Sequence, residues 1–372
     1  MSDNAQYNAT TGIKDGTSAD IMAMQQLRAQ LDQWAAELGF QQVGVTDIDL
    51  AEAGEGLQDW LAKGYHGDMD YMAAHDDMRW HPEKLHPGTV RVISARMNYL
   101  PPGVDQVEQL RNPDKAYISR YSLGRDYHKL VRKRLTQLGN KLREAAGAMD
   151  FRAFVDSAPI MERPLAQKAG LGWTGKHTLI INRKAGSYFF LGEILTDLPL
   201  PIDQPYEKNH CARCTSCLDL CPTDAFTGPY ELDARKCISY LTIELKGPIP
   251  EALREPMGNR IFGCDDCQMV CPWNRISDTS EEEDFSPRHQ LDKAGLLELF
   301  AWDEATFLKK TEGMPIRRTG YENWLRNIAV GLGNAPASLE VIDALQKKRP
   351  LVSDMVQEHI DWALTRQQAT PI

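Results

Sequence analysis

The hydrophobic positions in the first half of the chain alternate between helical and strand-like spacing. Apolar residues at Ile21, Met24, Leu27 and Leu31 recur every three or four residues and predict a helix that ends at Gly39. The segments that follow predict a strand at 42–46, a helix near 57–61, a strand at 89–99, an amphipathic helix at 128–146, a strand at 151–155, and strands at 178–182 and 188–195 joined by a turn at 184–186. This alternation favours an α/β domain over residues 19–200.

The remaining segments predict a multidomain protein that combines α/β and α+β parts. Polar residues 1–18 are expected to be disordered, and the proline-rich stretch 198–205 is typical of a linker. We expect a small, ferredoxin-like module at 201–280 and a helical segment at 281–372. Helical spacing at 324–332, 339–345 and 360–364 predicts a short stack of paired helices, similar to one or two helical repeats.

Composition sets limits on the location and partners of the protein. With 372 residues and 42% hydrophobic residues, the chain is long enough for two or three domains with a full core. It contains no apolar run of about 18 residues, and its polar start is unlike a secretory signal, so we expect a cytoplasmic protein without a membrane partner. No heptad pattern predicts a coiled-coil partner, and we expect a monomer. The net charge of −10 argues against a broad nucleic-acid-coating surface but leaves room for a local basic patch.

The cysteines carry the clearest chemical signal. All eight lie in two runs and one position between them: Cys211, Cys214, Cys217 and Cys221; Cys264, Cys267 and Cys271; and Cys237. The first run has the bacterial ferredoxin spacing, and eight thiolates are enough for two [4Fe–4S] clusters. The spacing is a poor template for structural zinc, and disulfides are not expected in a reducing compartment.

The ligands can be divided between the two clusters by the crossed ferredoxin pattern, in which the fourth cysteine of a run serves the other cluster. The first cluster is then expected to take Cys211, Cys214, Cys217 and Cys271. The second is expected to take Cys221, Cys237, Cys264 and Cys267, because Cys237 is the only spare thiol.

A second candidate site lies in segments 155–163 and 168–177. Asp156 follows a predicted strand, and three glycines between 170 and 175 would let the backbone approach a large ligand closely. A carboxyl group beside a bulky apolar cofactor could have a raised pKa and donate a proton, although Asp156 could equally cap the next helix. His177 could be a core histidine or a metal ligand. The chain has no P-loop and no dinucleotide-binding glycine motif.

Several motifs resemble those of one enzyme family. They are VDSAPIMERPLAQKAGLGWTGKHTLI, SYFFLGEIL, CARCTSCLDLCPTDAF, RKCISYLTIE and GNRIFGCDDCQMVCPWNR. Together they resemble epoxyqueuosine reductases over about residues 20–335. The resemblance implies cobalamin in the α/β domain, two [4Fe–4S] clusters, and reduction of the epoxide of epoxyqueuosine at the wobble position of tRNA to queuosine.

The resemblance also implies roles for individual residues. Asp156 would be the general acid. The implied cobalamin contacts are Arg79, Ser119, Asp156, Arg163, Lys176, His177, Asp265 and Gln268. His177 would be a contact and not a cobalt ligand. The expected partners are the anticodon loop of tRNA, whose phosphates Arg317, Arg318 and Arg326 could hold, and an electron donor that the sequence does not identify.

Two other functions are compatible with the cysteine pattern. A cobalamin-dependent reductive dehalogenase shares the implied cofactors but usually carries a twin-arginine signal, which we do not find at the start of this chain. A non-catalytic ferredoxin-type electron carrier would need only the cluster module. The roughly 200 residues ahead of the clusters, with their Asp156–His177 segment, favour an enzyme.

Overall fold

The computed structural model describes residues 18–369, so the predicted disorder of residues 1–18 lies outside the described residues except for Ser18. Up to residue 200 the helices are α1 (Ser18–Glu37), α2 (Ala51–Ala62), α3 (Pro82–Leu85), α4 (Gln106–Arg111), α5 (Tyr127–Ala146) and α6 (Glu162–Lys168). The strands are β1 (Gln42–Thr46), β2 (Arg91–Asn98), β3 (Tyr117–Ile118), β4 (Phe151–Phe154), β5 (Trp173–Thr174), β6 (Ile180–Ile181) and β7 (Phe189–Thr196). The predicted elements are therefore present, with small shifts at their ends.

The main sheet has the strand order β1-β2-β7-β4, and every neighbouring pair is antiparallel. The expectation of an α/β domain is therefore wrong for this sheet, which is of the α+β type. The predicted hairpin is also wrong. The turn before β7 closes only a bridge between Asn182 and Gly186, β6 pairs with β5, and β7 pairs along its full length with β2. The long ladder with β2 offers β7 far more hydrogen bonds than the two-residue β6 could.

Helices cover both faces of this sheet. Leu27 and Leu31 of α1 and Leu135 and Leu138 of α5 are buried in one hydrophobic cluster with the inward residues of β1, β2 and β7. On the other face, Leu165 of α6 packs with residues of β2, β4 and β7. The predicted linker 198–205 has no regular structure, but Leu198 and Leu200 are buried in the first cluster. It is thus part of the domain packing.

The cluster module and the C-terminal region contain shorter elements. In the module they are α7 (Ser216–Asp219), β8 (Phe226–Gly228), β9 (Glu231–Leu232), α8 (Ile238–Ile243), α9 (Glu251–Met257), β10 (Arg260–Phe262) and α10 (Asp266–Met269). Beyond it are α11 (Leu296–Phe300), α12 (Glu304–Lys310), α13 (Gly320–Asn334), α14 (Leu339–Lys348) and α15 (Asp354–Ala369). The three predicted C-terminal helices are confirmed as α13, α14 and α15, whereas their likeness to a helical repeat stays a prediction.

The regions are joined by contacts across the predicted boundaries. Strand β3 pairs in parallel with β10 of the cluster module. Ile118 of β3 and Phe262 of β10 are buried in one cluster with Trp324 and Leu325 of α13. The domain boundaries stay a prediction, but the hydrophobic contacts run across them without a break. Among the described residues, every helix is too short or too polar to cross a membrane.

Candidate active site

Asp156 lies two residues beyond β4 and presents its carboxylate beside the start of α5. The Tyr127 hydroxyl donates a hydrogen bond to Asp156 Oδ2 at 2.6 Å, and His128 Nε2 lies 3.2 Å from the same oxygen. The Asp156 side chain is 50% exposed, and its backbone has a left-handed φ of +50°. A carboxylate with this exposure and two fixed neighbours is placed to meet a ligand.

His128 is held between two carboxylates. Its Nδ1 lies 2.6 Å from Asp126 Oδ1, while its Nε2 faces Asp156. Burial alone would lower the pKa of His128, but the hydrogen bonds to Asp126 and Asp156 outweigh it and raise that pKa to about 9. Near neutral pH His128 is therefore an imidazolium that donates a hydrogen bond to each aspartate.

Asp156 itself does not have the raised pKa that the sequence suggested. Burial would raise it, but hydrogen bonds from His128 and Tyr127 and the positive charges of His128 and Arg318 outweigh burial and lower the pKa of Asp156 below its ordinary value. In this structure the mobile proton of the pair is therefore on His128. Covering the exposed side of Asp156 with an apolar ligand would move the pKa of Asp156 upward.

Sequence reasoning missed Asp126, Tyr127 and His128 as site residues. They form the DYH part of the quoted segment YISRYSLGRDYH, at the junction of a turn and the first turn of α5. Tyr127 is fixed by stacking on Phe190 of β7, with ring centroids 3.8 Å apart and an interplanar angle of 7°. A cluster of three titratable residues at a helix start was the available signal.

Arg163 and His177 lie in the same region of the fold as Asp156. Arg163 Nη1 donates to the Thr178 carbonyl oxygen at 2.6 Å. The Arg163 side chain is exposed, although burial lowers its pKa; a group surrounded by protein yet open to solvent lines a cleft.

His177 is a buried, neutral histidine. Burial lowers its pKa to about 4, and its Nδ1 accepts a hydrogen bond from the Leu179 backbone N–H at 3.2 Å. Its proton must therefore be on Nε2, which is buried and has no partner among residues 18–369. A protonated Nε2 can donate a hydrogen bond but cannot coordinate a metal. In this state His177 is therefore a hydrogen-bond donor and not a metal ligand.

Other predicted contacts are already engaged within the protein. Asp265 is buried and accepts hydrogen bonds from Ser119 Oγ, from Tyr117 Oη at 3.0 Å and from the Arg120 backbone N–H at 2.9 Å. Gln268 Nε2 donates to the Ser187 carbonyl oxygen at 3.0 Å. These bonds join the cluster module to the first half of the chain.

Arg79 and Lys176 occupy different surroundings. Arg79 is buried, donates from Nη2 to the Tyr71 carbonyl oxygen, and keeps an Nε without a partner in the described part of the chain. Lys176 Nζ instead donates to the carbonyl oxygens of Ala212 and Cys214, at 2.8 and 2.9 Å. The ammonium of Lys176 thus holds the first cysteine loop in this structure.

The electrostatic neighbours of the eight thiols fall mainly into two groups of four, although the charge of Cys217 also raises the pKa of Cys267. Burial and the neighbouring Cys271, Cys211 and Cys214 raise the pKa of Cys217 to about 11. These are the four cysteines expected to serve the first cluster.

The other four thiols are grouped in the same way. Burial, Asp266 and the thiols of Cys237 and Cys267 raise the pKa of Cys264 well above its ordinary value. Burial raises the pKa of Cys237, and the charge of Cys221 adds to the effect. Four thiolates that repel one another need a strongly cationic centre to become stable together.

The thiols are not arranged for a single ion. All eight are free of disulfides, and all lie within the described residues. Nowhere in residues 18–369 do three or more His, Cys, Asp or Glu side chains converge on one ion-sized position.

One residue expected to meet RNA phosphates is placed elsewhere. Arg326 is fully buried and donates to the carbonyl oxygens of Leu241, Leu245 and Gly247 at 2.6–2.8 Å. The prediction that Arg326 holds phosphates is therefore wrong, because its donors are used inside the protein. Arg317 and Arg318 are exposed.

Comparison with known proteins identifies the family. The family model "Epoxyqueuosine reductase QueG, DUF1730" matches residues 79–157, and the "4Fe-4S double cluster binding domain" matches residues 210–274. The epoxyqueuosine reductase of Pseudomonas aeruginosa is 59% identical over 344 residues, which cover 92% of this chain and 95% of that protein. The chain belongs to the epoxyqueuosine reductase family. The resemblance predicted from the motifs is confirmed, and the chain is an oxidoreductase with a double [4Fe–4S] cluster domain.

Solved structures of epoxyqueuosine reductases share the fold. A crystal structure of an epoxyqueuosine reductase with an epoxyqueuosine-modified tRNA stem loop has a TM-score of 0.83 and 27% identity, covering 92% of this chain and 91% of that one. The Bacillus subtilis epoxyqueuosine reductase, solved with its catalytic loop swung out of the active site, has a TM-score of 0.82 and 26% identity over the same shares. The family fold therefore extends over almost the whole chain.

Proposed function

We propose that this protein reduces the epoxide of epoxyqueuosine in tRNA to the alkene of queuosine, with two [4Fe–4S] clusters, cobalamin and Asp156 as the general acid. The observation that carries the proposal is the Asp156 carboxylate, half exposed and held by Tyr127 and His128. We expect the protein to act as a monomer in the cytoplasm with an electron donor still to be identified.

Residues around the cleft fit a cobalamin. The buried donors Arg79 Nε, Arg120 Nε and His177 Nε2 have no partner within residues 18–369, and leaving such groups unpaired is unfavourable. The rim of cobalamin carries amide oxygens and a phosphate that accept hydrogen bonds. When bound, the clusters would supply single electrons, and cobalamin would supply a strongly nucleophilic cobalt able to open an epoxide.

Asp156 and His128 would provide the proton for this reaction. Removing the epoxide oxygen as water requires two electrons and two protons, and the oxygen is a poor leaving group until it is protonated. His128 stores a proton near neutral pH, since its pKa is about 9, and a cofactor and substrate that cover Asp156 would raise the proton affinity of the carboxylate. The proton would then pass along the contact between His128 Nε2 and Asp156 Oδ2, where the donor and acceptor lie 3.2 Å apart.

A basic edge beside Asp156 supports tRNA as the substrate. Arg125, Lys129, Arg132 and Lys133 on or beside the first half of α5 are exposed, and Arg132 Nη2 lies 3.5 Å from Ser157 Oγ in the Asp156 loop. Such a patch offers phosphate contacts even though the whole chain is acidic. An unstacked wobble base could then enter the cleft from the anticodon loop.

The two groups of four cysteines differ in their surroundings. Cys214 is exposed at the surface, whereas Cys264 and Cys267 flank Asp265, which bonds to Ser119 and Tyr117. Cys211, Cys214, Cys217 and Cys271 would hold the first cluster, and Cys221, Cys237, Cys264 and Cys267 would hold the second. The two clusters would supply the electrons that cobalamin needs.

The test uses anaerobically reconstituted protein and tRNA that carries epoxyqueuosine. The wild-type protein should bind about eight irons and one cobalamin and should form queuosine. Asp156→Asn should keep both cofactors but lose turnover roughly 100-fold or more. Asp59→Asn, a change at an exposed aspartate of α2, should behave as wild type.

Two results would contradict the proposal. Full turnover by Asp156→Asn would remove Asp156 from the acid role. Protein that carries clusters and ignores cobalamin would fit a ferredoxin-type electron carrier instead.

A further inference from the structure

A second pair of carboxyl groups lies behind the Asp156 loop. Glu162 is the first residue of α6, and its Oε1 accepts a hydrogen bond from the backbone N–H of Asp156 at 2.6 Å. Glu193 lies in the middle of β7, where it pairs with Ser94 of β2 and Phe154 of β4. The mechanism described above uses neither glutamate.

Glu193 is an unusual residue for the centre of a sheet. It is completely buried; Ser94 Oγ donates to its Oε1 at 3.2 Å, and its Oε2 has no partner among the described residues. Burial and the neighbouring charge of Glu162 raise the pKa of Glu193 well above its ordinary value. Burial and the neighbouring Glu162 therefore favour the neutral form of Glu193.

The backbone of Asp156 needs such support. A non-glycine residue with φ near +50° is strained by roughly 1 kcal/mol or more and persists only where its surroundings hold it. The bond to Glu162 is the contact that holds this N–H. Without it, the segment between β4 and α6 would be free to relax and turn the Asp156 side chain away from His128.

We propose that Glu162, backed by the buried Glu193, is a positioning residue that fixes the strained backbone of Asp156 and so keeps the Asp156 carboxylate facing the cleft. This inference rests on the role proposed for Asp156. The pair acts through the backbone of Asp156, so neither glutamate needs to touch the substrate or a cofactor.

The charges around Glu162 provide a second readout. Glu162 faces the carboxylate of Asp156, the neutral carboxyl group of Glu193 and the imidazolium of His128. Burial and the charge of Asp156 raise the pKa of Glu162 to about 7. Above about pH 7, where Glu162 is ionised, its negative charge in turn favours a proton on Asp156. Replacing Glu162 by glutamine keeps an oxygen for the Asp156 N–H but removes this charge.

The experiment compares Glu162→Ala, Glu162→Gln and Asp156→Asn in the reconstituted holoenzyme. Hydrogen exchange of the backbone at 155–161 measures positioning without reference to activity. Glu162→Ala should exchange at the Asp156 amide at least about tenfold faster than wild type, and Glu162→Gln should stay within about threefold. Glu162→Ala should lower kcat roughly 10- to 100-fold with KM within about twofold. Glu162→Gln should recover most of kcat, with the alkaline limb of its pH profile moved to lower pH.

The outcomes separate this inference from the proposed function. Wild-type exchange and turnover in Glu162→Ala, together with an inactive Asp156→Asn, would overturn the positioning role and leave the acid role intact. An active Asp156→Asn would overturn the acid role, while fast exchange in Glu162→Ala would still support the backbone contact. If the alanine variant does not fold, Glu162→Met, which has a similar length and no oxygen, replaces it in the same comparison.

Discussion

Replacing Arg326 by methionine should weaken the protein and loosen its second cluster site. The guanidinium of Arg326 binds three carbonyl oxygens of segment 241–247, which includes the end of α8. Helix α8 begins directly after Cys237, an expected ligand of the second cluster. Arg326 therefore connects α13 to the segment that carries this cysteine.

The size of the effect follows from two opposing terms. Each buried carbonyl left without a donor costs roughly 1–3 kcal/mol. Burial lowers the pKa of Arg326 from 12.5 to about 10, so removing the buried charge should stabilise the folded state by roughly 3 kcal/mol. Because three carbonyls lose their partner, the carbonyl term wins, and we expect a net destabilisation of roughly 2–4 kcal/mol.

The assay combines thermal unfolding with iron analysis under anaerobic conditions. Arg326→Met should lower Tm by roughly 3–5 °C and should bind fewer irons than wild type, whereas the exposed Arg317→Met should change neither. Affinity for tRNA, corrected for the folded fraction, should stay the same in Arg326→Met. Unchanged Tm and iron content together with weaker tRNA binding would refute the reasoning and restore the phosphate-binding role.

Three further predictions concern other parts of the structure. Lys176→Met removes a positive charge and two hydrogen bonds from the first cysteine loop. The first cluster should therefore become more labile to chelators and have a lower reduction potential, while cobalamin binding is kept. An unchanged reduction potential would contradict this prediction. Gly44→Ala should lower stability by more than about 3 kcal/mol, because a Cβ there would lie 1.9 Å from a backbone carbonyl oxygen after α6; Gly56→Ala, in an exposed and open part of α2, should raise stability by up to about 1 kcal/mol in the same denaturation assay. Since the pKa of His128 rises from 6.5 to about 9 on folding, its stabilising contribution is complete below about pH 6.5 and disappears as the pH rises through 9. The Tm of His128→Gln should therefore fall less than that of wild type between pH 7 and 9.5. Parallel plots of Tm against pH for the two proteins would argue against the raised pKa.

Local patterns in the sequence predicted the elements well. Strand β1 has the predicted bounds, and α1 ends just before Gly39, whose φ of +83° suits a helix end. The pairing of strands could not be read in the same way. The turn near Gly186 is typical of a hairpin, yet β7 lies between β2 and β4, because partner choice depends on contacts far apart in the chain.

The candidate site could be predicted only in part, because it too depends on contacts between residues far apart in the chain. Asp156 was found through its own segment, whereas His128 and Tyr127 are ordinary residue types that gain a role only when α5 packs beside β4. The phosphate-binding prediction for Arg326 was wrong because an arginine is usually exposed. Nothing in the neighbouring sequence indicates that its guanidinium binds three carbonyl oxygens inside the protein. Tertiary packing decides such cases.

The parallel pairing of β3 with β10 has a consequence for biosynthesis. During translation β3 leaves the ribosome long before β10, so its edge and the apolar residues around Ile118 stay uncovered while most of the cysteine module is still being made. The first half of the chain therefore cannot bury all of its apolar residues before the cluster module has been synthesised. The apolar interior around Ile118 can close only once residues 260–262, just ahead of Cys264, have been synthesised.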